Sequence, residues 1–335
     1  MLFISSAIIF VFLIFLLEKF KFKLKLLDIP NTRKIHNEPI AITGGIAIFF
    51  TIFLLVPFLK IDPLYMFIIY SSSLILILGI YDDLYDLNPK LRLLIHFLIA
   101  SIVYIVGIKI VDFNNLFYSN SLNTHIFKSL TIFLTFFSIM CVVNAFNFID
   151  GLDGLCVTNG IITVLTIIML MYINNNFLNN FLLLFLFVLF LFLFFNFGIF
   201  GFKVFLGDSG STSIGYLIAL ILIYHSMPEN RMINPAIVIW CITLPMYDLG
   251  RIVVTRFTHN YKLSNPDNNH IHHIFLKNGF SKIKSYYLVT LISFCLNLIG
   301  ITSYYYYGQN VSAIFFIILF FIYLFTINAL NIKKT

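Results

Sequence analysis

The chain has 335 residues, 60% of them hydrophobic and 10% charged, with a mean hydropathy of +0.98 and a formal net charge of +7. A soluble globular protein carries about 25% charged residues, so this chain could not cover a water-facing surface. Secreted domains, cytosolic enzymes and nucleic-acid-binding domains are excluded, and the long unbroken apolar runs favour helices over the ~10-residue alternating strands of a barrel.

The first apolar run, 1–17, has no basic stretch ahead of it and no small-residue cleavage site behind it. Lys19, Lys21, Lys23 and Lys25 follow it instead. It reads as a retained first span, not a removed leader. Ten further runs approach the ~20 residues a span needs. They are 44–59, 64–80, 93–111, 129–146, 155–173, 177–200, 212–226, 234–252, 286–304 and 309–331. Two are short, which tilting or local thinning of the bilayer accommodates. The expected architecture is an all-α polytopic membrane protein of about 11 transmembrane helices, forming one domain over 1–335.

An odd span number puts the termini on opposite sides. With the N-terminus outside, all but four of the 21 basic residues fall on inside segments, the exceptions being Lys60, Lys109, Lys128 and Arg231. The positive-inside rule then predicts N-out, C-in. Cys141, Cys156, Cys241 and Cys295 sit in or beside apolar runs with no C-x-x-C spacing, so they read as small buried hydrophobes. The unusual polar residues concentrate in the inside connections, which places the chemistry at the cytoplasmic face and not at the midplane.

Four clusters stand out in chain order. Asp82, Asp83 and Asp86 follow the third span. On a helix Asp82 and Asp86 would share one face, and three carboxylates so close need a cation or basic partners. The plain alternative is a solvated helix end balanced by Lys90 and Arg92. Next come Asn144 and Asn147, one helical turn apart, then Asp150-Gly151 and Asp153-Gly154. Carboxylates and amide carbonyls are hard oxygen ligands suited to Mg2+, whereas a simple turn between spans needs neither. Gly207-Asp208-Ser209-Gly210-Ser211 opens a span, and its glycines allow close approach of backbone to a ligand. Its alternative is a glycine-rich cap. Finally His270, His272 and His273 lie in the longest inside loop. Their spacing is poor for zinc, since on a helix His270 and His273 would share a face while His272 points elsewhere. Hydrogen bonding to phosphate fits better. His36, beside Arg33 and Lys34, adds positive potential or is an ordinary juxtamembrane patch. Together the clusters point to Mg2+-dependent phosphoryl or phosphosugar transfer, with a lipid phosphate and a soluble nucleotide as substrates.

These motifs resemble the polyprenyl-phosphate N-acetylhexosamine-1-phosphate transferases, which include the WecA, TagO and MraY enzymes. The resemblance runs from Asp28-Ile29-Pro30, Arg33, Lys34, His36, Pro39 and Gly44-Gly45 through the four clusters and Pro245-x-x-Asp248 to His273. His270-x-His272-His273 is similar to the WecA and TagO branch, and Asn268 departs from the arginine of that branch. Lys262, Arg256 or Lys277 could replace its charge.

The resemblance implies attack by undecaprenyl phosphate on a UDP-sugar, most simply UDP-GlcNAc, with release of UMP and the start of a lipid-linked envelope glycan. FucNAc, QuiNAc or MurNAc-pentapeptide donors are alternatives. It further implies Asp208 and Asn147 as Mg2+ ligands, with Mn2+ as a substitute ion. Asp82 or Asp83 would orient or deprotonate the lipid phosphate, with Asp86 and Asn144 at the substrate. Asp150 and Asp153 would order the loop and the nucleotide, and the three histidines would bind the diphosphate. A bacterial cytoplasmic membrane location and a homodimer are expected on the same basis. A secondary transporter, with acids near the midplane, and an inactive scaffold are the competing classes.

Overall fold

The computed structural model describes residues 1–29, 39–113, 124–175, 177–258 and 269–332. His36, Arg33, Lys34, Lys262 and Asn268 lie outside these described residues. Each of the eleven apolar runs coincides with a helical segment: α1 (Leu2–Leu24), α2 (Gly44–Leu55, extended by a 3-10 turn Val56–Phe58), α3 (Pro63–Tyr85), α4 (Pro89–Val106), α5 (Thr124–Ile149), α6 (Leu155–Asn175), α7 (Asn180–Asn196), α8 (Gly207–Ser226), α9 (Pro235–Val238) running through a 3-10 turn Ile239–Ile242 into α10 (Thr243–Thr258), a short α11 (Ile271–Lys277), and α12 (Lys282–Ile332). Seven of these helical stretches are long and apolar enough to cross a membrane, and Gly44–Phe58 and Asn180–Asn196 are shorter apolar helices.

Local sequence sets the helix ends. Asp62, Asn88, Asn179 and Asn234 each cap a helix by accepting backbone N–H bonds at its first turn, and three of them precede a proline at the first helical position. The run 93–111 was expected to stay helical to its end, but Gly107 adopts φ 107° and closes α4 at Val106. Gly308, with φ 80° and ψ 172°, breaks α12 into the two expected halves. The 3-10 turn between α9 and α10 leaves the Cys241 carbonyl outside the regular helical ladder. Thr163 of α6 (2.9 Å) and Asn297 of α12 (3.2 Å) donate to it, which meets the need for internal partners in an apolar surrounding.

α8 is the central helix, with every residue from Ser209 to His225 buried. α2, α3 and α5 pack around it. The approach is close because glycines face one another: a Cβ on Gly45 would sit 2.3 Å from the Gly210 Cα, and one on Gly79 would sit 2.3 Å from the Ser209 Cα. Small residues at helix contacts serve where lipid removes the hydrophobic drive for helices to associate.

The all-α expectation omits one small feature. Strand β1 (Leu27–Asp28) pairs antiparallel with β2 (Ile40–Ala41), and Ala41 bridges in parallel to Val204. Phe205 N–H donates to the Ala41 carbonyl (2.7 Å), and the Gly44 and Gly45 amides donate to the Phe205 and Leu206 carbonyls (both 2.9 Å). The chain entering α8 is thereby pinned to the start of α2.

Candidate active site

The polar clusters meet at one end of the bundle. Asp208 stands in the first turn of α8. Its Oδ1 accepts from Asn147 Nδ2 of α5 (2.9 Å), which also donates to Ser211 (3.1 Å). Its Oδ2 faces Arg92 of α4 at 3.4 Å. Arg92 is also ion-paired to Asp82 of α3. Asp83 reaches across to α8 and takes the Asp208 amide on Oδ1 (2.8 Å) and the Ser209 amide on Oδ2 (3.1 Å). Leu206, the residue ahead of α8, offers no side-chain cap, so a carboxylate from another helix satisfies the orphan amides and meets the positive end of the helix dipole.

Asp82 and Asp86 do not form the expected helical pair. Asp86 is the left-handed terminus of α3 (φ 51°), its amide donating back to the Asp82 carbonyl. Asp82 is buried and Asp86 exposed. Asn144 lies one turn before Asn147, but its amide donates to the Met140 carbonyl of its own helix (2.7 Å) and not into the carboxylates. Asp150 follows α5 in the turn. Burial, then the charges of Asp208, Asp83 and Asp153, push its carboxyl well above the usual range. Asp153 pairs with Lys203 from the α7–α8 connection (2.7 Å).

The histidine segment docks on the same loop. A Cβ at Gly151 would fall 1.9 Å from His272 Nε2, so glycine is required for this contact. The His270 ring packs on Phe148 at 5.0 Å. His270 has an extended backbone (ψ 154°) and only caps α11. The pairing of His270 with His273 on one helical face is therefore not realised. Instead the His270 and His272 rings lie parallel, 5.9 Å apart, and His273 sits 4.2 Å from His272. His272 is buried, and burial followed by the charges of His273 and His270 holds it well below its ordinary value.

Chemically, this end of the molecule combines the carboxyl groups of Asp82, Asp83, Asp86, Asp150, Asp153 and Asp208, one amide-bearing helix turn, the positive N-terminus of α8 and a single guanidinium between two of the acids. Negative charge exceeds what Arg92 can offset, a setting that favours a bound cation or a cation-carrying anion. Among the described residues, no three His, Cys, Asp or Glu side chains converge as a metal cage.

Comparison with known proteins gives the family. Residues 65–226 match the family described as glycosyl transferase family 4. The chain is 30% identical over 341 residues to the undecaprenyl-phosphate alpha-N-acetylglucosaminyl 1-phosphate transferase of Escherichia coli (strain K12), an overlap of 96% of this chain and 90% of that protein. The chain belongs to glycosyl transferase family 4. The enzyme of the same name from Salmonella typhi is 28% identical over 317 residues, 92% of this chain and 86% of that one. A probable undecaprenyl-phosphate N-acetylglucosaminyl 1-phosphate transferase of Bacillus subtilis (strain 168) is 28% identical over 306 residues, 89% and 83%. The stretch matched to family 4 carries Asp82, Asp83, Asn147, Asp150 and Asp208. The histidine segment and Asp248 lie beyond it.

Sequence reasoning singled out the acids and amides of this site. It weighed Arg92 only as a counter-charge, carried Ser211 only as the last residue of the glycine-rich turn, and did not single out Lys203. The distances in sequence explain this: Arg92 and Asp208 are 116 residues apart, and only helix packing brings them together.

Proposed function

We propose that this chain transfers an N-acetylhexosamine-1-phosphate, GlcNAc-1-phosphate first, from a UDP-sugar to undecaprenyl phosphate. An oxygen of the lipid phosphate attacks the sugar-bearing phosphorus. The bond from that phosphorus to the bridging oxygen breaks, UMP leaves, and a polyprenyl-diphosphate sugar forms. The observation that carries the reading is Asp208, held at the N-terminus of a buried helix by Asp83, Asn147 and Arg92 from three other helices. The names of the relatives support undecaprenyl phosphate as acceptor and GlcNAc-1-phosphate as the transferred group.

The residues suit Mg2+. Asp208 and Asn147 supply two adjacent hard oxygen-bearing groups, and Mg2+ is commonly held by one or two carboxylates plus waters and substrate phosphates, without an all-protein cage. When bound, it neutralises the donor diphosphate and the charge that develops on UMP. Asp83 has both oxygens committed to α8 amides, so its part is to fix Asp208. Asp82 fixes Arg92, whose guanidinium is placed to take a phosphate. A phosphate monoester has a second pKa of about 6 and is largely dianionic at neutral pH, so positioning matters more than proton removal. Asp150 and Asp153 order the loop against which the histidines and the donor lie. The membrane arrangement that goes with this reading is eleven spans, N-out and C-in, with the site at the cytoplasmic face of a bacterial membrane. A transporter would need its acids at mid-helix, whereas these lie at helix ends.

The test is a radiolabel transfer assay in detergent with undecaprenyl phosphate, Mg2+ and a panel of UDP-N-acetyl sugars, comparing wild type with Asp208→Asn. Mg2+-dependent lipid product and UMP are expected, reduced about 100-fold or more in the variant. Folded wild type that makes no product with any donor, or a variant as active as wild type, would sink the reading.

A further inference from the structure

The charged groups behind the histidine segment form a second network. Asp248, in α10, is almost fully buried, and so is Arg251 one turn later. Arg251 donates to Asp248 Oδ1 through Nη2 (2.9 Å) and Nε (3.2 Å). It also donates to the Asn269 carbonyl and, through Nη1, to Asn328 Oδ1 of α12 (3.4 Å). Asp248 in turn accepts from the Ile271 amide (3.2 Å) and from the Tyr323 hydroxyl of α12 (3.1 Å). Its other oxygen, Oδ2, lies 2.9 Å from His270 Nδ1. The segment 269–271 is thus fastened at three consecutive residues by two side chains of α10, and α12 braces both of them.

An ionised carboxylate only accepts hydrogen bonds, so His270 Nδ1 carries the proton in this pair. Nε2 is then the nitrogen left for a ligand, and Phe148 fixes the plane of the ring. Phe148 follows Asn147 in the last turn of α5, the end of that helix that meets Asp208. When Nε2 also carries a proton and donates to a phosphate oxygen, Asp248 faces the resulting imidazolium. Burying an ion pair is a poor source of stability compared with apolar packing of the same volume, so orientation of the histidine is the better account of this one.

We propose that Tyr323 and Asp248 are positioning residues for His270, fixing its Nδ1–H tautomer so that Nε2 faces the donor diphosphate. The inference rests on the transferase reading above for the identity of that donor. Neither residue is near the acids in sequence, and Tyr323 lies in an apolar helix whose pattern gives no hint of the role.

The experiment compares wild type, Tyr323→Phe and Asp248→Asn in two assays. The first measures kcat and KM separately for UDP-GlcNAc and undecaprenyl phosphate. Tyr323→Phe keeps the ring and removes one hydrogen bond. Its KM for UDP-GlcNAc should rise about fivefold, with the KM for undecaprenyl phosphate and the melting temperature close to wild type. Asp248→Asn offers Nδ1 an N–H donor and so favours the opposite tautomer, and kcat/KM should fall about 100-fold or more. The second assay reads carbethoxylation of His270 by diethyl pyrocarbonate, mapped by mass spectrometry against His273. Both variants should slow it, because the reagent attacks an unprotonated nitrogen and each variant lowers the share of the Nδ1–H tautomer that presents Nε2. If Asp248→Asn does not fold, Tyr323→Phe carries the test. Unchanged donor KM and unchanged His270 modification in a folded variant overturn the proposal. So does an equal rise in both KM values with a lowered melting temperature, which marks a structural brace only. Wild type inactive with every UDP-sugar would defeat the transferase reading, and the carbethoxylation rates would still decide whether His270 is held.

Discussion

His272 shows how one residue can make the whole fold sensitive to pH. Its ring is buried against Gly151, and neither nitrogen has a hydrogen-bond partner. Burial and the neighbouring histidines keep it neutral far below its ordinary value of 6.5. In the unfolded chain it would bind a proton as pH falls through about 6.5, while in the fold it would not. The contribution is therefore complete above 6.5 and is lost as pH falls below it, at up to about 1.4 kcal/mol per pH unit. Asp150 works in the opposite sense: its raised carboxyl keeps a proton that the unfolded chain releases above its ordinary value of 3.8, so its contribution falls as pH rises. Comparing His272→Asn with wild type cancels the Asp150 effect. The variant should show a smaller loss of melting temperature between pH 7.5 and pH 5. Parallel curves for the two proteins would refute the assignment of acid sensitivity to His272.

At the scale of elements, the site depends on how closely α2 and α3 approach α8. The Gly45 contact is with backbone atoms of Gly210, at 2.3 Å to Cα and 2.4 Å to N, so no rotamer change can relieve an added methyl. Gly45→Ala should cost about 1–3 kcal/mol by overpacking and shift the start of α8, lowering transfer activity with it. Gly250→Ala is the control, because its nearest neighbour is the ring edge of Phe320 at 3.0 Å, part of a side chain that can turn. Thermal unfolding in detergent distinguishes them, and equal stability of the two variants would contradict the packing argument. The same contrast explains what could be read from the sequence. The apolar runs marked the helices, because a span must satisfy its own backbone. Asp83 and Asp208 were recognisable as chemistry-bearing residues, because buried-chain acids are scarce here. That Asp83 caps the helix bearing Asp208 was not legible, since it depends on an approach between helices 125 residues apart. The helical stacking of Asp82 with Asp86 failed for a local reason, the left-handed turn at Asp86.

At the scale of the whole molecule, the two ends of the bundle differ in kind. The end described above carries the acids, Arg92 and the histidines. The opposite end is closed by pairs that tie connections together: Arg231 grips Asp112 at 2.6 and 2.8 Å, Tyr224 donates to Asp62 (3.2 Å), and Tyr305 donates to Asn174 (2.6 Å). Between them large apolar side chains such as Phe12, Leu54, Ile77, Ile105 and Ile317 face outward, as lipid contact requires. Helix alternation puts Lys60 and Glu229 at the closed end, and Lys203 and Lys277 at the acidic one, all four exposed. In a variant with Cys141, Cys156, Cys241 and Cys295 replaced, cysteine introduced singly at these sites reads the orientation. A membrane-impermeant maleimide added to intact cells should label Lys60→Cys and Glu229→Cys, and should reach Lys203→Cys and Lys277→Cys only after permeabilisation. The reverse pattern would put the acidic end outside, where a cytoplasmic nucleotide sugar cannot reach Asp208, and the transferase reading would lose its donor along with the N-out topology.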